Sequence, residues 1–119
     1  MRLIFLCFAF VLHLYSSFFS QDNRNYQVFV KYYNAAIQYE KNGYAFKALE
    51  SYNKALRSVT ITLNTEENLK ILYRMAAVNA GNIYLSLNNL SYFYRYYKIA
   101  AFLGDEYAKR VLTAYGFIY

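Results

Sequence analysis

The stretch of sequence that decides the fold spans residues 35–56 and reads AAIQYEKNGYAFKALESYNKAL. Small and aromatic residues recur at helical spacing on both sides of Gly43, and glycine is the usual residue just past a helix end. Small residues such as Ala36 and Ala48 let two helices approach closely, while rings such as Tyr39 and Tyr52 fill the space beside the contact. The stretch therefore predicts two helices packed against each other rather than a ligand-binding loop.

The same pattern returns 45 residues downstream, without a gap inside the unit. The matched pairs are Asn34 with Asn79, Ala35 with Ala80, Ala36 with Gly81, Tyr39 with Tyr84, Tyr52 with Tyr97 and Ala55 with Ala100. Ala48 is the exception, because the much larger Phe93 stands at the corresponding place. The chain is therefore predicted to contain two copies of one helix pair.

Helical periodicity over the rest of the chain predicts five helices and an all-α fold. Their expected bounds are about 26–41, 44–60, 65–87, 90–103 and 106–115. Asn64 and Glu67 have the spacing of a capping box at the start of the third helix, and Asp105 is placed to cap the fifth. The connections are short, which favours antiparallel neighbours.

The N-terminal segment is typical of a secretory signal peptide over residues 1–20. Arg2 precedes an apolar run over residues 3–15, and the segment ends near Ser20. Phe18 departs from the small residue preferred upstream of a cleavage site, so an uncleaved membrane anchor is one alternative and a cytosolic protein is another. The prediction is a protein that is secreted or located in the periplasm or cell envelope.

Cleavage at this point removes Cys7 and His13, the only cysteine and histidine of the chain. Without a thiol or an imidazole, the remainder lacks the groups that most nucleophilic enzymes and metal sites require. The carboxylates of Glu40, Glu50 and Glu66 are not paired by any sequence pattern, and no glycine-rich phosphate loop is present. The sequence therefore predicts a protein that is not an enzyme and that has no metal and no cofactor.

The two units resemble the tetratricopeptide repeat. The resemblance rests on Tyr32, Ala35, Ala36, Tyr39, Gly43, Ala48, Tyr52, Ala55 and Leu56 in the first unit and on Ala80, Gly81, Tyr84, Leu90, Tyr97 and Ala100 in the second. The 45-residue interval exceeds the roughly 34 residues of that family, and the proline that usually closes a repeat is absent. The tail KIAAFLGDEYAKRVL, residues 98–112, resembles the related Sel-like repeat.

The organisation implied by this resemblance is a helical repeat domain over residues 21–119. Its units lie at about 29–62 and 74–107, and a C-terminal helix follows at 105–116. Repeats of this kind bind a protein or peptide along the first helix of each unit. The partner-binding residues implied here are Tyr33, Asn34, Ile37, Lys41, Asn79, Asn82 and Ser86, with Arg74 adding positive charge.

A second interpretation comes from the basic and aromatic residues. The chain has 13 basic and 7 acidic residues, and the segment YFYRYYK at 92–98 interleaves rings with cations. On a helix Phe93 and Tyr97 point inward, whereas Arg95 and Lys98 point outward. The alternative function is a structural, envelope-associated protein that adheres to anionic glycan or membrane through this surface. No nucleic-acid partner is expected, and a homodimer is left open.

Overall fold

The computed structural model describes residues 22–117, and every regular element in that range is a helix. The helices are α1 (Asp22–Lys41), α2 (Ala45–Ser58), α3 (Glu67–Ser86), α4 (Leu90–Phe102) and α5 (Glu106–Ala114). The predicted all-α fold class is thereby confirmed. The predicted signal peptide, residues 1–20, lies outside the described range.

Four helices end in the same hydrogen-bonded turn. At each end one residue takes a positive φ, namely Gly43 at 81°, Asn88 at 60°, Gly104 at 95° and Gly116 at 79°. The following residue donates its backbone N–H to a carbonyl five residues earlier, as Tyr44 does to Tyr39 at 2.9 Å and Asn89 to Tyr84 at 2.8 Å. This is the Schellman arrangement, which satisfies carbonyls that a helix end leaves free. The ends of α1 and α3 thus have the same geometry at positions 45 residues apart.

The helix starts agree less closely with the sequence patterns. Asp105 caps α5 as predicted, because its Oδ1 accepts from the Ala108 N–H at 2.9 Å. The predicted capping box of Asn64 and Glu67 is wrong: α3 begins at Glu67, and no side chain caps it. Instead, the Thr65 hydroxyl accepts from a backbone N–H in the preceding turn, at 2.8 Å. α1 also begins earlier than predicted, at Asp22 rather than near residue 26.

The helices pack in chain order, and the largest contacts are those of α1 with α2 and of α3 with α4. One apolar core is formed by α1, α2 and α3, and a second by α3, α4 and α5. The first contains the buried rings of Phe29 and Tyr52, and the second those of Phe93 and Tyr97. Because α3 contributes to both cores, it fixes the two helix pairs relative to each other.

The expected small residues lie where helices meet. Ala36, Ala48 and Ala55 are fully buried. Gly81 of α3 lies directly beneath the ring of Tyr97 on α4, so a Cβ at this position would stand only 2.6 Å from the ring carbon Cδ1. Real Cβ atoms do not approach so closely, and the close crossing of α3 and α4 therefore requires glycine here.

Candidate partner-binding face

Tyr52 connects three helices through a single hydroxyl group. Its ring is fully buried. Its hydroxyl donates to Oε1 of Glu40 on α1 at 2.6 Å and accepts from Nδ2 of Asn79 on α3 at 3.2 Å. The second helix of the first pair thus positions side chains on α1 and on α3 at the same time.

Tyr97, 45 residues later, likewise bonds a side chain on the first helix of its own pair. Its ring is 1% exposed, and its hydroxyl donates to Oδ1 of Asn82 on α3. Asn79 and Asn82 are three residues apart and therefore neighbours on one side of the helix. We refer to Glu40, Tyr52, Asn79, Asn82 and Tyr97 as the polar row. The hydroxyls of the two buried tyrosines fix the hydrogen-bonding side chains of this row in place.

Burial keeps the phenols of this region neutral. It is the main cause that raises the pKa of Tyr33 to about 12, with the charge of Glu40 adding to the effect and a hydrogen bond from Asn79 opposing it. Burial likewise raises the pKa of Tyr52, and the hydrogen bond to Glu40 raises it further. Burial also raises the pKa of Tyr97, and the neighbouring Tyr107 raises it further. These hydroxyls are therefore hydrogen-bonding groups without charge at neutral pH.

The predicted site residues differ in accessibility. Lys41, Asn82 and Ser86 are exposed, whereas Asn34, Ile37 and Asn79 are half-buried. Tyr33 is only 4% exposed and belongs to the core. The structure brings Tyr33 and Asn79 together, because the Asn79 amide lies close enough to the Tyr33 phenol to lower its pKa.

Three apolar residues of α3 were missed by the sequence interpretation of this face. Ile71, Met75 and Val78 follow one another at helical spacing and lead to Asn82 along the same side of the helix. Ile71 is 37% exposed, while Met75 and Val78 are half-buried. The helical spacing of these three residues could have identified the stripe. Because α3 carries apolar residues on most of its sides, however, no single stripe stands out in its sequence.

Arg74, which the sequence suggested as a source of positive charge, has an internal role. Its guanidinium donates to the carbonyl oxygen of Leu103 at 3.1 Å and lies 3.7 Å from a carboxylate oxygen of Asp105. Arg74 therefore holds the turn between α4 and α5 against α3. The basic residue of α1 in the predicted site is Lys41, which is exposed in the last turn of that helix.

Residues 22–117 offer neither a metal site nor a membrane-spanning helix. That part of the chain holds no group of three or more His, Cys, Asp or Glu side chains placed to bind a metal ion. None of its helices combines the length and the apolar character needed to cross a bilayer. The chain matches no protein-family model, no curated protein and no solved structure.

Proposed function

We propose that this protein is an exported interaction module that binds a peptide segment of another protein and performs no catalysis. Its helix pairs would be arranged like tetratricopeptide repeats. The repeated turn at Gly43 and Asn88 supports this arrangement, as do the equivalent positions of Tyr52 and Tyr97. Export rests on the signal-peptide pattern of residues 1–20.

The proposed site is the first-helix face, which consists of Asn34, Ile37 and Lys41 on α1 together with Ile71, Met75, Val78, Asn79, Asn82 and Ser86 on α3. The observation that carries the proposal is the combination of a partly exposed apolar stripe with amides held by buried tyrosines. Apolar surface supplies affinity and a few fixed polar groups supply orientation, as in most ligand sites. The ring contact of Phe29 with Tyr73, at 6.3 Å between centroids, joins α1 to α3 behind this face.

Prior ordering of the polar row favours binding. A side chain that is already held in one rotamer loses little entropy when a partner arrives. The amide of Asn79 is held by Tyr52 and that of Asn82 by Tyr97. Lys41, at one end of the face, would select a peptide with an acidic residue at the matching position.

The test is selection of binders from a displayed library of random peptides, using the full chain as target. Selected peptides are then measured against the variant Asn34→Ala with Lys41→Ala, which leaves the hydrogen bonds of the polar row intact. The matched control is Asn64→Ala with Lys98→Ala, which makes the same chemical changes at exposed positions off the face. We expect at least tenfold weaker binding for the first pair and an unchanged affinity for the control, since ~1.4 kcal/mol corresponds to a factor of ten. Equal affinities for both pairs would reject this face as the site.

A further inference from the structure

The positive charge of the molecule is concentrated on two of its helices. Residues 22–117 contain 12 basic and 7 acidic residues. Within that range, α2 and α4 together contain five basic residues and one acidic residue, so they account for +4 of a net charge of +5. The acidic residue, Glu50, is paired with Lys54 at 3.1 Å.

A side-chain hydrogen bond joins these two helices. The hydroxyl of Tyr96 on α4 donates to Oδ1 of Asn53 on α2. Burial raises the pKa of Tyr96 to about 12, and the positive charges of Arg57 and Arg95 act against that rise. Arg57 follows Asn53 by one turn of α2 and Arg95 directly precedes Tyr96 on α4, so both cations lie close to the bond between the helices. Exposed cations of both helices thus lie on either side of the bond that joins them.

We call the exposed surface of these two helices the second-helix face and define it by Phe46, Arg57, Tyr92, Arg95, Lys98 and Phe102. Its aromatic residues are unusually accessible, since Phe46 is 74% exposed and Phe102 is 89% exposed. The guanidinium of Arg95 lies 5.0 Å from the centroid of the Tyr92 ring. Exposed rings beside flexible cations are the combination that proteins use at the boundary between water and lipid.

We infer that the second-helix face docks on the surface of an anionic lipid bilayer. Basic residues near such a surface are attracted by its negative potential, and aromatic rings enter the region between headgroups and acyl chains. Phe46 lies in the first turn of α2 and Phe102 is the last residue of α4, so the two rings are spread over the face rather than gathered in a pocket. A bilayer can accept separated rings, whereas a soluble anionic chain gains little from them. This inference does not depend on the proposed peptide site, which lies on α1 and α3.

The test measures binding of the full chain to vesicles of phosphatidylcholine, with and without phosphatidylglycerol. The N-terminal segment is common to every variant, so the difference between the two vesicle types reports the charge-dependent contribution. We expect Arg57→Gln with Arg95→Gln to weaken binding to anionic vesicles on the order of 30-fold, because each surface cation contributes about fivefold. The matched control, Arg24→Gln with Arg110→Gln, removes two exposed arginine charges elsewhere and should change binding less than about threefold by the same reasoning, since screening limits distant charges.

A second pair of substitutions distinguishes lipid from a soluble polyanion. Phe46→Ser with Phe102→Ser should weaken vesicle binding roughly tenfold through lost apolar contact, while binding to heparin stays unchanged. The inference is overturned if both charge pairs weaken vesicle binding equally, because the effect is then one of net charge. It is also overturned if the Phe pair leaves vesicle binding unchanged, or if the chain binds heparin but shows no preference for anionic vesicles.

Discussion

The side-chain amide of Asn79 on α3 and the hydroxyl of Tyr52 on α2 are joined by a hydrogen bond of 3.2 Å. Because the same hydroxyl donates to Glu40 on α1, this bond links the first helix pair to the second. The side chains of the face proposed for partner binding are thus positioned by the buried ring of Tyr52, which is not accessible to a partner.

Tyr52→Phe is expected to lower the free energy of unfolding by about 1–2 kcal/mol. The substitution keeps the buried ring but removes the hydroxyl, which leaves the amide of half-buried Asn79 without this partner. Urea denaturation followed by circular dichroism measures the change. Tyr44→Phe is the control, since the Tyr44 side chain is 56% exposed and its replacement should have almost no effect. Equal losses in the two variants would contradict the structural role assigned to the Tyr52 hydroxyl.

Gly81→Ala is expected to destabilise the protein by roughly 1–3 kcal/mol, the usual cost of overpacking. The new Cβ would lie 2.6 Å from Cδ1 and 2.9 Å from Cε1 of Tyr97, so the ring or the helix must shift. The sign is informative, because the same change at an open helical position stabilises by up to about 1 kcal/mol. The measurement is the melting temperature of Gly81→Ala, and the control is Ser86→Ala, an exposed substitution in the same helix. A melting temperature above that of the parent chain would show that α3 and α4 do not cross this closely.

Stability should fall as the pH rises above about 10, the ordinary pKa of tyrosine. The pKa of Tyr33 is raised to about 12, so between these two values the folded state retains a proton that the unfolded chain has released. Each such tyrosine then removes about 1.4 kcal/mol of stability per pH unit, and its full contribution is present only below pH 10. Urea midpoints measured across this range test the slope.

Tyr33→Phe should make that alkaline slope shallower, while Tyr44→Phe should leave it unchanged. Tyrosinate absorbance during the same titration identifies the phenols that ionise late. A slope that is the same in Tyr33→Phe and in the parent chain would show that Tyr33 ionises normally, and hence that it is not held in the core.

Asp105→Ala is expected to cost about 1 kcal/mol through loss of the N-terminal cap of α5. Asp105→Asn keeps a cap but loses the charge beside Arg74, 3.7 Å away, and should cost less. The two melting temperatures separate the cap from the ion pair, with Glu106→Gln as an exposed neighbouring control. If the Asn variant were as unstable as the Ala variant, the ion pair with Arg74 would be the more important contact.

Several features of the fold follow from local sequence alone. Gly43 and Gly104 are found where the chain needs a positive φ at a helix end, and Asp105 caps the next helix as its position indicated. The inward stripe of Phe93 and Tyr97 is also confirmed, since both rings are buried. These features depend on neighbouring residues, which is why periodicity and turn chemistry were sufficient to predict them.

Other features depend on contacts between distant parts of the chain. The 45-residue correspondence treated Asn34 and Asn79 as equivalent, yet Asn79 is bound by Tyr52 from another helix. The packing of three helices decides whether an amide faces a partner or a neighbouring tyrosine. Local sequence patterns contain no information about that packing. At the start of α3, Glu67 was expected to form a box with Asn64, but the hydroxyl of Thr65 forms a competing turn instead.

The most direct test of the central claim is site-specific photocrosslinking of the full chain in cells that produce it. A photoreactive amino acid is introduced at Lys41 or at Ser86, exposed positions at the ends of α1 and α3 on the first-helix face. Exposed Asn64 and Lys98 carry the same probe as controls off the face. We predict that the first two positions form an adduct with one and the same protein and that the controls do not. Adducts from Asn64 or Lys98 with that protein, or none from Lys41 and Ser86, would contradict the assignment of this face as the binding site.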